Sequence, residues 1–65
     1  MHVRVNGQDQ TLPDGINMNG LIALHKLTPD KVAVELNRRL IRQEKYDTQL
    51  KDGDQVEIVT FVGGG

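Results

Sequence analysis

The chain has 65 residues, eight Lys and Arg against nine Asp and Glu, 37% apolar side chains and no cysteine. A domain of this size buries only about 60% of its unfolded surface, which argues against a deep catalytic cleft, and a net charge of -1 gives a polyanion nothing to hold. The lack of cysteine excludes a disulfide framework, a thiolate zinc site and an internal thiol nucleophile, and two aromatic residues, Tyr46 and Phe61, are too few for a base-stacking platform.

The N-terminus alternates Met1, Val3 and Val5 with His2, Arg4 and Asn6, the period of a half-buried strand rather than of a secretory signal. No stretch is long and apolar enough for a membrane span, so a soluble cytoplasmic protein is expected. Asn6 and Gly7 tolerate positive φ and mark a tight hairpin turn. Residues 8–12 read as the returning strand, polar enough for a sheet edge, and Pro13, Asp14 and Gly15 end it.

Met18, Leu21, Ile22 and His25 then follow the i, i+3, i+4, i+7 spacing, with Leu24 and Leu27 widening the stripe. This predicts a helix over 17–27 capped by Asn17, with Gly20 weakening its first turn and Thr28-Pro29 stopping it. Alternation of Val32, Val34 and Leu36 gives a third strand over 32–37, and residues 40–42 a very short fourth. Residues 43–48 suggest a helical turn around Tyr46, with Leu50 buried. Asp52, Gly53 and Asp54 mark another tight turn, and 55–62 reads as the longest strand.

One helix against such a set of strands predicts a two-layer α+β domain over 1–62, followed by a glycine tail over 63–65. Val56 and Ile58 lie on one face of the last strand, and Val59 and Phe61 on the other with Glu57. A single helix covers a single face. Val59 and Phe61, with Val62 beside them, are therefore candidates for an exposed docking patch, although every small protein shows some apolar surface.

Gly63, Gly64 and Gly65 follow at once. Without Cβ atoms they can pass through a slot too narrow for side chains, and fully extended they reach roughly 10 Å. The tail reads either as a handle offering its terminal carboxylate, at Gly65, to another protein's active site, or as a frayed terminus or cloning remnant.

Other constellations are weaker. His2 and His25 have no second ligand at helical or strand spacing, so no metal site is expected. Asp52 and Asp54 lack the remaining ligands of a cation loop and read as turn formers. Arg38, Arg39, Arg42 and Lys45 read as a solvated basic loop, with an electrostatic contact to a partner as the competing account. The terminal glycines cannot cradle a phosphate, because no helix follows them.

A hairpin first, one helix, and Asp52-Gly53-Asp54 before the last strand resemble the β-grasp, ubiquitin-like fold, a mixed sheet of about five strands. The runs Val32-Ala33-Val34-Glu35-Leu36-Asn37 and Leu50-Lys51-Asp52-Gly53-Asp54-Gln55-Val56-Glu57-Ile58, with the ending Phe61-Val62-Gly63-Gly64-Gly65, resemble the ThiS family of sulfur carriers in thiamine biosynthesis over essentially the whole chain. That resemblance implies a protein cosubstrate rather than an enzyme. It implies that Gly65 becomes a thiocarboxylate, with Gly64 as its required neighbour and Gly63 an addition before the pair. An E1-like adenylyltransferase would use ATP to activate Gly65, a persulfide or sulfurtransferase would supply sulfur, and thiazole synthase would accept it. No cofactor would be bound by the carrier itself. Three alternatives remain: the small subunit of molybdopterin synthase, which is usually longer with a proline-rich approach to its glycines; a ubiquitin-type protein modifier; and a plain β-grasp interaction module.

Overall fold

The Asn6-Gly7 pair turns the chain as its residue types demand. In the computed structural model, which describes residues 1–61, both residues have positive φ, 51° and 81°, the requirement of a two-residue type I′ hairpin. The turn joins β1 (His2–Val5) to β2 (Gln8–Thr11), antiparallel, with Val5 opposite Gln8. Met1 lies outside the strand, half-buried against the core. Leu12, just past β2, is buried.

The helix α1 spans Met18–Leu24, four residues shorter than the 17–27 expected. Its start is as read: the Asn17 side chain accepts a bond from the Gly20 N–H at 2.8 Å. Its end is not set by Thr28-Pro29. Lys26 takes a left-handed conformation, φ 60°, the Leu27 N–H donates to the Ile22 carbonyl, and the Lys26 N–H to that of Ala23. These two bonds are the Schellman closure, here without the usual glycine. It turns Leu27 back against the core and leaves Leu24, placed in the apolar stripe by its spacing, exposed. Gly20 has a packing reason as well: a Cβ there would lie 2.8 Å from Ile16 Cγ1.

Pro29 opens a short 3-10 turn, Pro29–Lys31, for which proline's fixed φ is suited. β3 follows at Val32–Leu36 and β4 at Arg39–Ile41. Asn37, expected in the third strand, belongs to the turn between them. Asn37 and Arg38 both have positive φ, 51° and 70°, so this is a second two-residue hairpin, with arginine where glycine is the usual choice. A further 3-10 turn over Gln43–Lys45 ends at the buried Tyr46. The segment after it is tied to the helix start, since Met18 N–H donates to Thr48 O and Leu50 N–H to Ile16 O.

The turn before β5 (Gln55–Thr60) uses both of its aspartates on the backbone. Asp54 accepts from Lys51 N–H at 2.8 Å and Asp52 from His2 N–H at 2.7 Å, while Gly53, at φ 87°, donates to the His2 carbonyl. β5 is central in a sheet ordered β2-β1-β5-β3-β4, parallel to β1 and antiparallel to β3. The core lies between one face of this sheet and α1: Val3, Val5, Val32, Val34, Val56 and Ile58 from the strands, Met18, Leu21 and Ile22 from the helix. This is the α+β, β-grasp arrangement. The last strand, expected over 55–62, ends at Thr60 because its partner β3 begins only at Val32, opposite Thr60, and Phe61 lies just past it; Val62 and the tail Gly63, Gly64 and Gly65 lie outside the described residues.

Candidate partner-docking face

Alternation along β5 divides its apolar residues between two environments. Val56 and Ile58 are buried under α1, whereas Val59 and Phe61 keep 60% and 59% of their surface exposed, because no element of the described chain crosses the other face of the sheet. The expected placement of Val59 and Phe61 is thus what the fold shows. Val62, the third residue assigned to the patch, is among those not described.

Register brings more residues to this face than the last strand alone suggests. Ala33 of β3 lies directly opposite Val59, and Glu35 directly opposite Glu57. On β4, Ile41 pairs with Val34 and so faces the core, which sends Leu40, opposite Glu35, to the open face. Leu40 is 69% exposed, more than Val59 or Phe61. It belongs to the patch and was missed by the sequence reading. The signal was available in its alternation with Ile41, but a three-residue strand does not say which of the two faces inward until β3 is set beside it.

The open face is therefore graded. Phe61, Val59, Ala33 and Leu40 make its apolar part, at the end where β5 leads into the glycines. Towards the start of β5 it turns polar, where His2, Arg4, Asp9, Asp52 and Gln55 line a shallow recess. Such grading, apolar residues rimmed by polar ones, is the composition of a protein-binding surface.

Two asparagines hold β5 in place from opposite sides. From the β1 side, Asn6 Oδ1 accepts from Ile58 N–H at 2.8 Å and its Nδ2 donates to the Ile58 carbonyl at 3.3 Å. From the β3 side, Asn37 Oδ1 accepts from Gln55 N–H at 2.9 Å and its Nδ2 donates to Asp54 at 3.0 Å. Both occupy the left-handed turn position of their hairpin, which asparagine tolerates. The Asn6 amide thus acts as a substitute peptide group beside Ile58, while Asn37 fixes the start of the strand at Gln55 and the Asp54 carboxylate before it.

The histidines are not brought together. His25 lies at the edge of the helix, Nε2 3.3 Å from Gln10 Oε1, and His2 Nδ1 is 3.4 Å from Thr11 Oγ1. Arg38, Arg39 and Arg42 are exposed around β4. Among the described residues no helix is long and apolar enough to cross a membrane.

Comparison with known proteins agrees with this geometry. Residues 3–65 match the model of the ThiS family. The Sulfur carrier protein ThiS of Bacillus subtilis is 38% identical, with 97% of this chain and 98% of that protein aligned. The crystal structure of the thiamine biosynthesis protein ThiS from Geobacter metallireducens superimposes with a TM-score of 0.82 at 38% identity, all of both chains being covered. A Thiazole synthase from Magnetococcus marinus is 35% identical over the whole of this chain, which spans only 20% of that protein's length. With a family match across nearly every residue and a full-length relative of the same size, the chain belongs to the ThiS family.

Proposed function

We propose that this chain is a sulfur carrier of thiamine biosynthesis, acting as a cosubstrate of other enzymes through the carboxylate of Gly65. A carboxylate is a poor acyl electrophile. An E1-like adenylyltransferase would join Gly65 to the AMP moiety of ATP, releasing pyrophosphate and making the bound oxygen a good leaving group. The outer sulfur of an external persulfide, on a sulfurtransferase or other partner, then attacks the acyl carbon and AMP departs, leaving an acyl disulfide. A second thiol of the partner attacks its S–S bond, forming a disulfide there and releasing the thiocarboxylate, and the chain's lack of cysteine requires that both sulfur and thiol come from outside. The resulting thiocarboxylate on Gly65 gives its sulfur to thiazole synthase. The work is placed in the cytoplasm, where ATP is available.

The observation that carries this reading is the apolar end of the open face. Phe61 and Val59, with Ala33 and Leu40 beside them, stand exposed immediately before Val62-Gly63-Gly64-Gly65. An enzyme that takes the tail into its active site must cover this surface, and Gly63 and Gly64 present no side chain to obstruct entry. The thiazole synthase that contains a stretch similar to this chain supports that enzyme as the acceptor.

The test is mass spectrometry of the intact chain and of its C-terminal fragment, after incubation with ATP, a sulfur source and the adenylyltransferase. Exchange of oxygen for sulfur at Gly65, lost again on adding thiazole synthase and its substrates, is the expected result; localisation to the fragment separates it from oxidation of Met1 or Met18. Deletion of Gly65 should abolish loading. A tail that remains a carboxylate beside an active adenylyltransferase, or one that becomes linked to lysines, would overturn the reading.

A further inference from the structure

β1 pairs with β5 only as far as its own last residue, Val5, opposite Val56. The chain then turns at Asn6-Gly7 towards β2. The Asn6 backbone N–H still reaches the Val56 carbonyl, and its side chain satisfies both backbone groups of Ile58. β5 continues for two more residues. On its other side it remains paired: Val32 lies opposite Thr60, and Phe61 N–H donates to the Lys31 carbonyl at 2.9 Å. Because successive backbone groups alternate in direction, the N–H and C=O of Thr60 point to the side that β1 has left. Among the described residues nothing pairs with them there.

This is an interior strand that becomes an edge at its last step. Exposed edges are ordinarily blunted by charge, and the outer strands of this sheet follow that rule, with Asp9 on β2 and Arg39 on β4. The run Val59-Thr60-Phe61 carries no charge, and the side chains on either side of Thr60 are the exposed Val59 and Phe61. Backbone groups open for pairing, flanked on one face by apolar side chains, are the requirements for addition of an extended strand. Thr60 is also five residues before Gly65.

We propose that the β1-facing edge of β5 at Thr60 accepts an extended strand of the thiazole synthase, which pairs with the Thr60 backbone and seats Val59 and Phe61 in apolar pockets. The proposal rests on the sulfur-carrier reading. The synthase is the chosen occupant because a stretch similar to this chain occurs within a thiazole synthase chain. Strand pairing would fix the direction in which the tail leaves the domain, which an apolar patch alone does not.

The test uses the full chain prepared with the Gly65 thiocarboxylate already in place, so that adenylation plays no part. Replacing the amide of Thr60 by an ester removes the N–H and nothing of the side chain. Loss of one hydrogen bond should raise the KM for the carrier about 2- to 10-fold in sulfur transfer to thiazole synthase, with kcat unchanged. The ester also softens the Val59 carbonyl, which faces β3, so amide hydrogen exchange gives an independent readout on the unmodified chain. In the free protein the Thr60 N–H should exchange faster than that of Phe61, and in complex with the synthase it should slow at least tenfold. Equal KM values for ester and amide, or a complex that leaves Thr60 exchange unchanged, would overturn the strand-addition proposal. Failure of the unmodified thiocarboxylate to transfer sulfur to the synthase would instead overturn the sulfur-carrier reading beneath it.

Discussion

The two faces of β5 are made from the same kinds of residue and meet opposite fates. Val56 and Ile58 lie under α1 with less than a tenth of their surface exposed, whereas Val59 and Phe61 retain more than half. Hydrophobicity does not distinguish them. What differs is whether an element exists to cover each face, and the described residues supply one α-helix for a sheet with two sides. Burial converts apolar side chains into stability; the same side chains left uncovered remain available for a partner. The comparison therefore predicts that stability and docking can be damaged separately within one strand.

The largest effect belongs to the covered side. Leu21, fully buried on α1, contacts the sheet's inner face, and Leu21→Ala should cost about 2–5 kcal/mol. A 65-residue domain has a total stability of only about 3–10 kcal/mol, so urea titration should find the variant largely unfolded or close to it. A loss under about 1 kcal/mol would mean that the helix contributes little to the core.

A matched pair tests the contrast directly. Val56→Ala and Val59→Ala remove the same two methyl groups from the two faces of β5. The first should cost about 2 kcal/mol and the second within about 0.5 kcal/mol in the same denaturation experiment. Equal losses would show that the open face is covered in solution.

Phe61→Ala and Leu40→Ser should leave the midpoint of unfolding almost unchanged while weakening the complexes. An aromatic anchor in a protein interface is worth upwards of about 1 kcal/mol, or roughly fivefold in affinity, and Phe61 should show the larger loss, being nearer the tail. Titration calorimetry with the adenylyltransferase and with thiazole synthase reads both. A variant that binds normally but unfolds easily would return Phe61 to the core.

The smallest effect is a pH dependence confined to the covered side. Burial at the margin of the core raises the phenol of Tyr46 above its ordinary value of 10.0, because a phenolate there would lose part of its hydration. The unfolded chain therefore releases this proton first as pH rises. The stability Tyr46 contributes through this proton is fully present below pH 10 and is lost as pH climbs through the folded-state value. Tyr46→Phe should flatten that part of the stability profile relative to the parent chain, measured from about pH 9 upwards; parallel profiles would show that the phenol titrates alike folded and unfolded.

Much of this was legible in the residues. Asn6-Gly7 and Asp52-Gly53-Asp54 named their turns, strict alternation marked β1, β3 and β5, and the 3.6-residue stripe found α1 and its Asn17 cap. The polar run after Gly7 read correctly as an edge. The run of glycines at the end of the sequence, taken with the turn before the last strand, pointed to the family. These signals are local: each depends on backbone preferences or on side-chain period within a few residues, which any chain carries in its sequence.

The remaining features needed distant parts of the chain to meet. The helix ends at a lysine in a glycine-like conformation because closing on Ile22 buries Leu27. The Asn37-Arg38 turn is held by bonds to Asp54 and Gln55, residues remote in sequence. Leu40 joins the open face only because Ile41 is registered against Val34. The open edge at Thr60 exists because β1 ends opposite Val56 and the Asn6 side chain reaches no further than Ile58, two residues before β5 ends. Sequence period places residues on two faces, but pairing and cover decide which face becomes core, which edge stays open, and which apolar side chains are left exposed.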